Sequence, residues 1–212
     1  MKLITQSLII ASLPSLAVAD YVGLSFDFVK VENDLYTVRM YADFTSPNDQ
    51  LHGVFGDAAD PLYIYSEQEL YQNQFGGPTS ATINPALFPV FPSLEYDSWV
   101  TIGSENLYDN EMNDIGIDWG NFEAGGNIET DNGIWFSIPN SAQTFAGSDG
   151  RVLIAQLTTI GFGNIYGEIN LTGQNASGET YYARNQYFSL LIPSPGCLFL
   201  LGLYGMKSRR RC

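Results

Sequence analysis

Cysteine and histidine are close to absent from this chain of 212 residues, which holds 2 Cys and 1 His. Both cysteines, Cys197 and Cys212, stand near the C-terminus, so the stretch from residue 20 to 192 has no disulfide with which to brace itself. It must rely on its core, aided at most by bound metal. Zinc centres built on thiols or imidazoles lack their ligands here. A serine hydrolase would have to use His52 as its base, and no Gly-x-Ser-x-Gly elbow exists to receive it. His52, beside Gly53, reads instead as an ordinary strand or turn residue. Cationic side chains are scarce as well: Lys+Arg number 9 against 23 Asp+Glu, for a formal net charge of −14. Only Lys30, Arg39, Arg151 and Arg184 lie between residues 20 and 192, whereas all 23 acids do, so that stretch carries −19. Such a surface repels DNA, RNA and anionic lipid, which excludes nucleic acid as a partner. It attracts cations or basic partners; solubility in a salty medium is the plainer account of the charge. Uninterrupted apolar runs of the ~20 residues that a stable membrane span needs are missing too.

Both ends read as addresses. Lys2 supplies a positive start, Leu3 to Leu16 is mostly apolar, and Ala17-Val18-Ala19 places small residues where a signal peptidase reads them. Residues 1–19 are therefore expected to be a secretory signal cut before Asp20, with Ala17 and Ala19 as the recognised pair.

The far end has three parts in order. Pro193-Ser194-Pro195-Gly196 comes first, then the apolar run Cys197 to Met206, then Lys207-Ser208-Arg209-Arg210-Arg211. As a helix the apolar run would reach only ~15 Å, short for a durable anchor. The arginines would hold the extreme C-terminus on the cytoplasmic side. An ordinary single-span anchor is the other reading of this segment.

This tripartite tail resembles the PEP-CTERM sorting signal of Gram-negative bacteria, which exosortases recognise. The resemblance covers residues 192 to 212 and nothing of the body. In that family the motif is usually Val-Pro-Glu-Pro; here it stands as Ile192-Pro193-Ser194-Pro195, with Ser194 in place of the acid, and Cys212 trails the basic cluster. The resemblance implies export across the inner membrane and a transient membrane stage through the tail. It also implies processing by signal peptidase and an exosortase. Removal of residues 193–212 near the Pro motif would follow, with release or attachment at the cell surface or in an extracellular matrix, often one rich in polysaccharide.

What remains, residues 20–192, reads as strands. Val22, Leu24, Phe26 and Phe28 alternate with small or polar residues, and so do Tyr36, Val38, Met40, Ala42 and Phe44. A period of two puts one set on a core and the other toward water. Glu32-Asn33-Asp34 suits a hairpin between them. Further short segments with the same character begin near Leu62, Tyr96, Gly133, Arg151, Ile165 and Tyr181, separated by Asn, Asp, Gly and Pro clusters. Ser66 to Tyr71 is the best local helical candidate. Gly161-Phe162-Gly163 reads as a hairpin turn rather than a dinucleotide fingerprint, since no helix pattern follows. The stretch from Gln72 to Pro92, with Pro78, Pro85, Pro89 and Pro92, cannot be a central strand. Its apolar residues require burial, so a long ordered loop across a sheet edge is expected. The fold class that follows is all-β: a single antiparallel β-sandwich or jelly-roll-like domain.

Chemistry is harder to place. Asp109, Glu111, Asn113 and Asp114, with Asp118 after them, form the most oxygen-rich run. Calcium takes six to eight oxygen ligands, so this loop is the candidate for Ca2+. It departs from the EF-hand pattern, with Asp114 where Gly is needed and Gly120 where Glu is needed. A solvated polar loop is the alternative. Trp99 falls out of phase with Tyr96, Ser98, Val100 and Ile102, on the opposite face of its segment, and is the candidate for glycan contact. No constellation points to catalysis. The chain reads as a non-enzymatic surface or matrix protein, with a carbohydrate-binding module and a paired-carboxylate hydrolase as the alternatives.

Overall fold

Tyr36, Val38, Met40, Ala42 and Phe44 are all buried, and their alternating neighbours turn to the other side of the strand. That strand is the spine of one of two packed sheets. The computed structural model describes residues 21–192; the expected signal segment and sorting tail, with Ala17, Ala19, Pro193, Ser194, Pro195, Gly196, Arg209, Arg210 and Arg211, lie outside the described residues. The strands are β1 (Tyr21–Glu32), β2 (Leu35–Phe44), β3 (Gln50–Gly56), β4 (Leu62–Ser66), β5 (Trp99–Val100), β6 (Met112–Ile115), β7 (Ile128–Thr130), β8 (Gly133–Ser137), β9 (Arg151–Ile160), β10 (Asn164–Gln174) and β11 (Thr180–Leu191). A single helical turn, α1 (Gly120–Glu123), precedes β7.

The four-stranded sheet runs β1-β2-β9-β5, and the seven-stranded sheet runs β6-β8-β3-β10-β4-β7 with β11 on the other side of β10. Every ladder is antiparallel. The chain is thus an all-β sandwich. Its core lies between the sheets, where Val38, Met40, Val54, Ile64, Leu157, Ile169 and Trp135 meet. Each such side chain contributes about 1.5–3 kcal/mol by leaving water, and Trp135 also satisfies its indole N–H on the Thr101 carbonyl at 3.1 Å.

Local chemistry accounts for the connections. Asn33 and Asp34 both take positive φ, 52° and 63°, the pair of left-handed residues that a tight two-residue hairpin needs, and the β1–β2 hairpin follows. Tyr21 rather than Val22 turns inward, because the register shifts between Tyr21 and Gly23; Val22 is left 64% exposed. Gly161 to Gly163 join strands of different sheets, so this is a crossover at the rim and not a hairpin. Ser66 to Tyr71 is not helical: Leu70 is buried and bridges Thr159. Of the expected segment from Tyr96 to Ile102 only Trp99–Val100 is strand, preceded by the 3-10 turn Pro92–Tyr96.

β3 and β4 lie end to end along the same side of β10, with Asp57 to Pro61 looping out between them. Asn170 of β10 fills the gap. Its side-chain amide donates to the carbonyls of Phe55 and Asp60, at 3.0 and 2.8 Å. Its Oδ1 accepts the Asn185 N–H at 2.9 Å, where β11 bulges on the other side.

Candidate functional site

The Gln72–Pro92 stretch is where the fold builds a cleft. Three 3-10 turns, Ser80–Thr82, Pro85–Leu87 and Pro92–Tyr96, replace the strand that its prolines forbid. The segment touches the edge strand β5 through a Thr79–Val100 bridge and a Val100 N–H to Pro78 carbonyl bond of 2.9 Å. It then folds over the outer face of the four-stranded sheet, where Ile83, Leu94, Trp99 and Leu153 make a second buried cluster flanked by Leu87, Phe88 and Tyr41. The expected loop at a sheet edge is therefore also a cover on a sheet face.

One end of the cover is pinned by a buried carboxylate. Asp97, fully buried, accepts the backbone N–H of Asn73 at 2.6 Å and of Gly77 at 3.1 Å. Burial pushes its pKa up to about 7, opposed by the N–H donors of Asn73, Gly77 and Ser98. Gly76 must be glycine, because a Cβ there would stand 1.7 Å from Asp97 Oδ2.

Between cover and sheet remains a cleft of about 370 Å³, with Ile83, Phe88, Leu94 and Trp99 on its apolar walls. That volume falls at the low end of small-ligand sites. Its polar side is Thr37, Arg39, Glu105 and Gln156. Arg39 meets Glu105 in a two-pronged pair, 2.8 and 2.9 Å, and its Nε donates to Gln156 at 3.2 Å. Gln156 in turn donates to the carbonyls of Glu95 and Asp97. The guanidinium is therefore neutralised and held flat, an arrangement suited to holding a ligand by shape and hydrogen bonding.

Trp99 is on the face opposite Val100, as its phase required, but it is 2% exposed. It is not an open platform for glycan contact, because the proline-rich segment covers that face and leaves Trp99 only as part of the cleft wall. Trp135 is also buried, and Trp119 is half-buried with its indole N–H on Asp114 Oδ1 at 3.0 Å.

The five proposed calcium ligands do not converge. Asp109 is in a left-handed turn at φ 50°. Glu111 precedes β6, while Asn113 and Asp114 are successive strand residues that point to opposite sides. Asp118 Oδ1 accepts the Gly120 N–H at 3.0 Å. Among the described residues no three Asp, Glu, His or Cys side chains gather as metal ligands would. His52 lies on β3 with its Nε2 3.2 Å from Gln50 Oε1, and burial lowers its pKa, so the ring is neutral at pH 7. β3 itself escaped the sequence reading: Leu51 and Val54 both face the core across a register shift, so no clean period of two is present.

The outer face of the seven-stranded sheet is the other feature that was missed. Tyr63, Tyr65, Tyr166 and Tyr187 stand on it, with ring centroids of Tyr63 and Tyr65 5.1 Å apart and of Tyr65 and Tyr166 5.7 Å apart. The alternation of Leu62 and Ile64 with Tyr63 and Tyr65 was the available signal. No protein-family model, curated protein or solved structure matches this chain.

Proposed function

We propose that this chain is an exported surface or matrix protein, sorted by an exosortase-type system, whose sandwich works by binding and not by catalysis. The observation that carries this reading is the junction between fold and tail. Ile192, the last described residue, is buried and its N–H donates to the Gly163 carbonyl at 2.8 Å, so the packed body extends up to the residue before Pro193. A cut within the Pro motif would therefore leave every described strand in place. Binding is favoured over catalysis by the way the reactive side chains are engaged: His52 with Gln50, Asp97 with backbone amides, Arg39 with Glu105.

The test is to express the full chain in a Gram-negative host with and without an exosortase, and to weigh the product in membrane and medium. The wild-type chain is expected to lose both leader and tail only in the exosortase-bearing host. Pro193→Ala together with Pro195→Ala should leave a tail-bearing form in the membrane fraction. Identical processing in both hosts overturns the assignment.

A further inference from the structure

Register places four side chains in one row across the outer face of the seven-stranded sheet. Glu129 of β7 is opposite Tyr63 of β4, Tyr63 is opposite Glu168 of β10, and Glu168 is opposite Tyr187 of β11. The row alternates carboxylate and phenol over roughly 14 Å, three strand spacings. Tyr65 and Tyr166, directly opposite each other, form a second row beside it, edge to face at 83°. Leu62, Ile64, Ile128, Ile165 and Phe188 turn inward from the same strands, which fixes the outward direction of this set. Tyr187 is 65% exposed. The Tyr63 hydroxyl stands 3.4 Å from Glu168, and, besides burial, Glu129 is near enough to Tyr65 to help raise the pKa of its phenol.

A tyrosine face is electronegative and attracts a cation placed over it, and a carboxylate beside the ring adds to that attraction. Among the described side chains no basic group competes for the row. Arg184, also on β11, is held by Asp57 and Asp60 at 2.9 and 2.5 Å and lies over Phe55. Arg39 and Arg151 pair with Glu105 and Asp27 on the other sheet. Glu129 and Glu168 stand two strand spacings apart, about 10 Å. An extended chain covers that distance in three residues. We propose that this face binds a lysine- or arginine-rich segment of a partner polypeptide, its cationic side chains lying against the tyrosine rings and the two glutamates. The proposal does not depend on the sorting tail and stands or falls separately from it.

The test uses the full chain in nonionic detergent and a fluorescent arginine–serine peptide, followed by anisotropy at low and moderate salt. Replacing both acids, Glu129→Gln with Glu168→Gln, is expected to weaken binding roughly tenfold while leaving the fold intact by circular dichroism. Tyr187→Ser, at an exposed position, should weaken it several-fold and serves as the second variant. Asp34→Asn with Asp149→Asn removes the same charge elsewhere on the body and should leave affinity within about twofold. An equal loss in that distant pair reduces the effect to overall acidity and overturns the site. So does wild-type affinity in the glutamine pair, or binding of a labelled neutral dextran that Tyr187→Ser abolishes.

Discussion

Asn170 shows how one side chain can hold two irregularities at once. A strand in its place would have supplied donors to the carbonyls of Phe55 and Asp60; the chain leaves the ladder there, and the amide group supplies them instead. On its other side the carbonyl oxygen receives the N–H of Asn185, a residue in left-handed conformation at φ 55°. Asn170 itself is fully buried, while its three partners lie nearer the surface. Asn170→Ala should lower unfolding free energy by about 1–3 kcal/mol, because it removes three part-buried hydrogen bonds, to the Phe55 and Asp60 carbonyls and from the Asn185 N–H. Urea denaturation measures this directly. A loss below about 1 kcal/mol would mean that the break between β3 and β4 closes by itself.

At the scale of elements, the cover segment and its anchor are coupled to pH. Asp97 is held by burial at a pKa of about 7, above its ordinary 3.8. Between those values the folded chain keeps a proton that the unfolded chain has lost. Stability from this group is therefore full below about pH 4, falls as pH rises, and levels off above about pH 7. Asp97→Asn keeps one acceptor for the Asn73 or Gly77 amide and removes the titration, so its melting midpoint should change less between pH 5 and pH 8 than that of the wild type. Parallel slopes in the two proteins would place the titration elsewhere. This cover was half legible in the sequence. Its prolines exclude a strand and its Ile83, Leu87 and Phe88 demand burial, which identifies a packed loop. That it lies over Trp99 depends on tertiary contacts with Leu94 and Leu153 that no local pattern encodes. The same limit applies elsewhere. β2 could be read because one edge of its pattern is apolar throughout, and the Asn33-Asp34 hairpin because its backbone needs particular residues. β3 could not, since a register shift breaks its period, and neither could the four-residue β6 or three-residue β7, too short to show one. The tyrosine row stayed hidden for another reason: its members come from four separate strands and meet only through register.

For the whole molecule, charge dominates. With four basic residues against 23 acids between positions 20 and 192, and Arg39, Arg151 and Arg184 each tied to acids of the body, the folded state carries strong self-repulsion. Raising sodium chloride from about 0.05 to 0.5 M shortens the screening length from over 10 Å to under 5 Å, so the melting midpoint should rise. A midpoint that falls with salt would show that the exposed ion pairs outweigh the repulsion. The sandwich also has two distinct poles. The β1–β2 turn, the Gly161–Gly163 crossover and Ile192 share one of them, through the Gly161–Asp34 and Ile192–Gly163 bonds. Tyr21, the turn at Pro47-Asn48 and the β10–β11 turn share the other, joined by Phe44 to Gly150 and Asp49 to Ala176. The twelve residues of β1 separate the poles by about 40 Å. A molecule tethered through its C-terminal end, as proposed above, would be held by the first of these poles. Its tyrosine row, on strands that run between the poles, would then be a flank and not a tip, open to a neighbour alongside, while the turns at the far pole would lie about 40 Å from the point of attachment.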